Sequence, residues 1–306
     1  MNAPRLLFTG LLLGALAFLT PAHAARQVVT LSWPTRNAAP APDLEPPADT
    51  FLPALRFAVS RLPESATVNL ALSQPSFLGL TSADAELLQR LVAQRYQKIA
   101  ADPVFARVPS ALTYCFADEK PASGLATLYV PANAGPQTPA IVFLHGYGGS
   151  FLWYLHYLAE LFPNHVILAP AHGMSDAGMP PDYALEAVRA AEKRLGFPLA
   201  KPTLIGLSAG GFNACRTYVV YPARFTSLRV LAAYPPPETL ARFPKNSVPR
   251  FLAGGSEFYV TDGTWESARR QLALRGTAAQ FATVPAAGHF FLLTHPKESA
   301  AWLRAK

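Results

Sequence analysis

From about residue 111 to the end of the chain, short apolar runs alternate with longer amphipathic stretches. Runs at 125–130, 140–144, 165–169, 203–207, 228–232, 250–253 and 280–284 predict β-strands. Several are apolar without a break, as strands buried on both faces are. Between them, 151–162, 183–195, 209–220, 264–275 and 297–304 carry helical spacing. This alternation predicts an α/β fold: a mostly parallel sheet of about 7–8 strands with helices on both faces. The 111–306 stretch is long enough to bury one substantial core.

Upstream, the pattern changes. Seven prolines between Trp33 and Pro63 (34, 40, 42, 46, 47, 53, 63) argue against regular helix or central strand over most of that span, which is expected to run extended over the surface. Next, Thr81-Ser82-Ala83-Asp84 reads as a helix N-cap. It leads into Leu88, Leu91, Val92, Tyr96 and Ile99 at helical spacing, ending before Pro103. This apolar stripe is expected to pack on the flank of the main domain rather than to cap its cleft. The first residues read as a secretory signal peptide: Arg5, the apolar run 6–19, and the small-x-small site Ala22-His23-Ala24. The run is shorter than the roughly 20 residues of a membrane span. The expected organisation is therefore a signal peptide at 1–24, a proline-rich extension with an amphipathic helix at 25–110, and the main α/β domain at 111–306. The mature chain is expected to start at Ala25, soluble, in the periplasm or outside the cell.

Charge and cysteine content narrow the function classes. The formal charge is +7, yet only 15% of residues are charged and the basic ones are scattered, so no nucleic-acid partner is expected. Cys115 and Cys215 form no ligand pattern, so zinc is not indicated, and separate buried thiols are favoured over a disulfide; no metal or other cofactor is expected.

The candidate chemistry centres on Gly206-Leu207-Ser208-Ala209-Gly210, between a predicted strand and a predicted helix. A serine on so sharp a turn is held in a strained conformation that exposes its hydroxyl, and the residues two positions away on either side must be small. Serine needs a base to take its proton, and there are seven histidines. His23 falls in the signal segment, His145 in a glycine-rich loop, His156 mid-helix, His165 at a strand start and His295 beside Pro296. His172 lies in a loop near the cleft, available to substrate. Gly146-x-Gly148 is not a dinucleotide loop, because Phe151 stands where the third glycine belongs.

Four landmarks resemble the α/β-hydrolase superfamily over about 111–306. His145-Gly146-Tyr147-Gly148-Gly149-Ser150 is similar to the family's oxyanion loop. Ala171-His172-Gly173-Met174-Ser175 is similar to its G-x-S loop. The serine turn follows, and Val284-Pro285-Ala286-Ala287-Gly288-His289-Phe290 is similar to its terminal histidine segment. The resemblance implies Ser208 as nucleophile, His289 as base, and an oxyanion hole from the backbone N–H groups of Ala209 and Tyr147, with Gly146 as the alternative to Tyr147. It implies Glu257 as the acid, after Phe251-Leu252-Ala253-Gly254-Gly255-Ser256, with Asp262 and Glu238 as the other candidates. The implied activity is hydrolysis of small-molecule carboxylic esters by an exported serine esterase. A peptidase or amidase, or an inactive binding protein of the same fold, are the alternatives. Phe151, Trp153, Tyr154, Tyr157 and Phe290-Phe291 are divided between core and an apolar substrate pocket. The connection after the strand at 228–232 is too short for a lid domain.

Overall fold

Val29, Leu31 and Trp33 alternate with polar positions, and Gln27–Pro34 forms the first strand, β1. The computed structural model describes residues 25–38, 48–74, 80–173 and 179–305, with the side chains of 48–51 left aside. Residues 1–24, Pro40, Pro42, Pro46, Pro47 and Ser175 lie outside the described residues. Helices α1 (Ala48–Arg61), α2 (Glu64–Leu72), α3 (Ser82–Ala101) and α4 (Leu112–Cys115) follow. Then come β2 (Ser123–Val130), β3 (Ala140–Leu144), α5 (Leu152–Leu161), β4 (Val166–Ala171), α6 (Pro181–Leu195), β5 (Thr203–Leu207) and α7 (Ala209–Val220). The chain closes with β6 (Ser227–Leu231), α8 (Pro237–Leu240), β7 (Arg250–Gly254), α9 (Phe258–Thr261), α10 (Thr264–Leu274), β8 (Gln280–Val284), α11 (Phe291–Thr294) and α12 (Pro296–Arg304).

All eight strands form one sheet in the order β1-β2-β4-β3-β5-β6-β7-β8. From β4 to β8 the pairing is parallel; β2 runs antiparallel to β4, and β1 antiparallel to β2. Every residue of β3 and β4 is buried, which is why their sequences read as unbroken apolar runs. Alternate residues serve opposite faces: Val142 and Leu144 pack with α6 and α7, while Ile141 and Phe143 pack with α5, α11 and α12. The predicted strands and helices from 125 onward are all present, with ends moved by at most two residues.

The N-terminal segment departs from expectation. A helix, α1, occupies 48–61 where an extended chain is expected. Pro53 sits inside it, past the first turn, at the cost of a ladder bond, and Pro63 is the N-cap of α2. Between those prolines, Leu55, Ala58 and Val59 are buried at helical spacing. The segment thus carries two helices beyond the one expected. β1 pairs along its whole length with β2, and Trp33 lies opposite Gly124, where any Cβ would overlap the indole at 2.2 Å. Thr81 does cap α3, its hydroxyl accepting the Asp84 N–H. The stripe Leu88, Val92 and Ile99 packs on the α5 side of the sheet.

The connections after β3 and β5 leave toward opposite faces, α5 to one and α7 to the other. Because β3 and β5 are neighbours, a crevice opens between their carboxyl ends, where open α/β sheets bind ligands. Cys115 and Cys215 are both buried free thiols. Among the described residues no helix is long and apolar enough to cross a membrane.

Candidate active site

β5 ends at Leu207 and α7 begins at Ala209, leaving Ser208 to make the whole turn at φ 53° and ψ −122°. A non-glycine residue held there costs roughly 1–3 kcal/mol, sustained only by firm surroundings. Those surroundings are close. A Cβ on Gly206 would meet the Gly210 carbonyl oxygen at 2.3 Å and the Ala214 Cβ at 2.6 Å. One on Gly210 would meet the Leu144 and His145 carbonyl oxygens at 2.2 and 2.3 Å. Glycine on both sides is therefore what lets α7 press against β5 and β3. The Ser208 N–H donates to Leu231 O at 2.8 Å, tying the turn to β6. The Ala209 N–H opens α7, in the first turn where no helix carbonyl reaches it.

His289, on the loop after β8, places Nε2 2.9 Å from Ser208 Oγ and Nδ1 2.8 Å from Glu257 Oε2. With Nδ1–H donating to the carboxylate, Nε2 keeps its lone pair for the serine hydroxyl. The Glu257 side chain is 5% exposed and that of His289 42%, so the carboxylate is shielded while the imidazole faces the open cleft. The two loops are stitched together. Gly255 N–H donates to Val284 O, and both the N–H and the hydroxyl of Ser256 donate to Ala287 O. Gly254 admits this contact, since a Cβ there would lie 2.4 Å from Ala287 O. Ala286, at φ 56°, makes the bend that returns the chain toward the serine. The Tyr259 phenol is buried beside the acid, and burial followed by the Glu257 charge pushes its pKa up.

Of the three acids weighed from sequence, Glu257 alone touches His289. Asp262 is a turn residue whose carboxylate accepts the Thr264 N–H at 2.8 Å. Glu238 is exposed and paired with Arg216 at 3.0 Å.

The glycine-rich loop after β3 lies against Ser208: a Cβ on Gly146 would stand 3.1 Å from the Ser208 Cβ. Gly148 and Gly149 have φ of 90° and 117°, a region side chains avoid. Tyr147 sits on this loop with its side chain exposed. Buried His145 braces the loop, with Nδ1–H donating to Gly146 O at 2.8 Å and Nε2 accepting the His172 N–H at 2.9 Å. Burial lowers its pKa, so it is a neutral strut. His172, expected near substrate, is instead buried edge-on against Tyr183, with its pKa pushed down to about 3 by burial. His295 occupies the N-cap position of α12, but its ring contacts the Thr294 hydroxyl and makes no cap bond. Among the aromatics, Trp153, Tyr157 and Phe291 are core, whereas Phe290 is partly exposed with its ring 5.7 Å from that of His289. Sequence reading missed the Gly254 and Ser256 stitches, whose glycine-serine signal is indistinguishable from an ordinary turn.

The model described as the alpha/beta hydrolase family matches residues 141–266, from β3 into α10. That span holds the glycine-rich loop, Ser208 and Glu257; together with the sheet order it makes this an α/β-hydrolase fold. No curated protein matches the chain. Among solved structures, a fluorophosphonate-binding serine hydrolase F of Staphylococcus aureus is 15% identical with a TM-score of 0.45, covering 60% of this chain and 94% of that one. Carboxyl esterase 2 of the mycorrhizal fungus Tuber melanosporum is 14% identical with a TM-score of 0.44, covering 56% of this chain and 75% of that one. Such distant likenesses say nothing of the substrate.

Proposed function

We propose that this protein is an exported serine hydrolase that cleaves carboxylic esters through an acyl-enzyme intermediate. The observation that carries the reading is the unbroken chain from Ser208 Oγ through His289 to buried Glu257, at 2.9 and 2.8 Å. As Oγ attacks the ester carbonyl, its proton passes to His289 Nε2, and Glu257 stabilises the imidazolium that forms. The carbonyl oxygen becomes an oxyanion between the N–H groups of Ala209 and Tyr147. Each such donor contributes about 3 kcal/mol to the transition state. His289 then returns the proton to the departing alkoxide oxygen, releasing the alcohol and leaving an ester on Ser208. Water, deprotonated by the same imidazole, attacks that ester; the proton goes to Ser208 Oγ and the acid is freed. Phe290 beside the base, and exposed Tyr147, favour an apolar substrate group at the mouth of the cleft.

Export rests on the sequence 1–24, and the mature chain starts at Ala25. Intact-mass measurement of protein recovered from outside the cytoplasm tests this; a start at Met1 with membrane retention contradicts it. The bond type is tested with matched p-nitrophenyl esters and anilides. Turnover of the esters alone supports the reading, preference for anilides makes the enzyme an amidase, and silence on both panels overturns it.

A further inference from the structure

Helix α5 begins at Leu152, directly after the glycine-rich loop, and its N-cap residue, Phe151, has no side chain able to cap it. The cap comes instead from the N-terminal segment. Glu64, the first residue of α2 and itself 9% exposed, accepts the Leu152 N–H on Oε1 at 2.6 Å. The same oxygen accepts the Tyr96 hydroxyl of α3 at 2.6 Å, and Oε2 accepts the Ser110 hydroxyl at 2.5 Å. Ser110 Oγ also accepts the Leu112 N–H at 3.2 Å, at the start of α4. Leu112 and Cys115 in turn press on Gly149, where a Cβ would meet Leu112 Cδ2 at 2.9 Å and Cys115 Sγ at 3.2 Å. The far end of the loop is thus gripped by α2, α3 and α4 together.

All three partners of Glu64 are donors, so the ionised carboxylate is the form that fits, and a helix start favours that charge. Burial nonetheless pushes its pKa up. A purely structural core would avoid this desolvation cost with an apolar side chain. The carboxylate adds what an apolar side chain cannot: a fixed direction for the first turn of α5, and through it for residues 147–150.

Resting on the serine-hydrolase reading, we propose that Glu64 is a positioning residue for the oxyanion loop, holding the Tyr147 N–H in register with Ser208 from outside the catalytic machinery. The test compares Glu64→Ala, which removes every acceptor, with isosteric Glu64→Gln, which keeps one. Turnover is normalised to active sites titrated with a fluorophosphonate. For Glu64→Ala, kcat for a p-nitrophenyl ester falls on the order of tenfold to a hundredfold, the effect of a small misplacement, while KM stays near the parent value. Inhibition by a trifluoromethyl ketone, whose adduct carries the oxyanion, weakens by the same factor. Glu64→Gln restores most of both.

Hydrogen exchange on the free protein, read without substrate, should show the 147–152 amides opening faster in Glu64→Ala alone. Unchanged kcat per titrated site, or equal losses in the two variants, overturns the proposal. If Glu64→Ala does not fold, Ser110→Ala takes its place, and unchanged kcat and exchange there overturn it equally. A protein that turns over no ester, yet loosens at 147–152 on Glu64→Ala, contradicts the hydrolase reading and leaves the anchoring standing.

Discussion

The serine turn and the start of α5 both hold backbone at the carboxyl ends of neighbouring strands, but by opposite means. At the turn the constraint is local: Gly206 and Gly210 are each two residues from Ser208, and each is glycine because a Cβ would strike backbone. At α5 the Leu152 N–H is held by a carboxylate 88 residues upstream. The first kind of constraint leaves a fixed-spacing signature in the sequence. The second leaves a glutamate like any other. The same contrast separates the half of the sheet after residue 203 from the segment before residue 118.

The largest effect expected lies in the local half. Ser208→Ala should leave a folded protein whose turnover falls on the order of a millionfold, measured on p-nitrophenyl esters with contaminating esterases excluded. Glu257→Gln should cost roughly ten-thousandfold in kcat, because His289 loses the partner that orients it and stabilises its charge. Asp262→Asn and Glu238→Gln, whose carboxylates face Thr264 and Arg216, should behave like the parent. A crippled Asp262→Asn beside a working Glu257→Gln would remove Glu257 from its role as the partner of His289.

The smallest effect belongs to the distant half and should appear in stability alone. Glu186 on α6 accepts bonds from the Trp33 indole, the Thr35 hydroxyl and the Asn37 amide, fastening the end of β1. Glu186→Ala leaves those donors without an acceptor and should cost about 1–3 kcal/mol, read as a lower denaturation midpoint with kcat unchanged. A fall in kcat instead would mean that β1 shapes the site as the Glu64 cluster does, and the contrast between the two kinds of constraint would narrow.

Most of the sheet was legible because parallel strands buried on both faces must be continuously apolar, as 140–144 and 203–207 are. The serine and histidine were legible because their loops need small residues at fixed spacing. β1 was less so: its alternation at Val29, Leu31 and Trp33 is that of an edge strand with one covered face, a short signal that runs straight into the proline-rich stretch. α1 was hidden for a related reason, since Pro53 within it and Pro63 just beyond its end counted against a helix that the burial of Leu55, Ala58 and Val59 nonetheless sustains. His172 looked available because its loop lies beside the cleft, and only the packing of Tyr183 against it shows otherwise. The acid remained three-way in sequence because Glu257, Asp262 and Glu238 all follow strands of the right half. What separates them is that the stitching of Ser256 to Ala287 brings Glu257 to the imidazole, while Asp262, at the other end of α9, turns to the Thr264 N–H and Glu238 to Arg216.

The central claim is that Ser208 is a nucleophile activated by His289 and Glu257. A fluorophosphonate probe followed by peptide mass mapping tests it most directly. The account predicts a single adduct on the peptide bearing Ser208, absent from Ser208→Ala and formed far more slowly in His289→Ala. Labelling at another residue, or an undiminished adduct rate in His289→Ala, would contradict it.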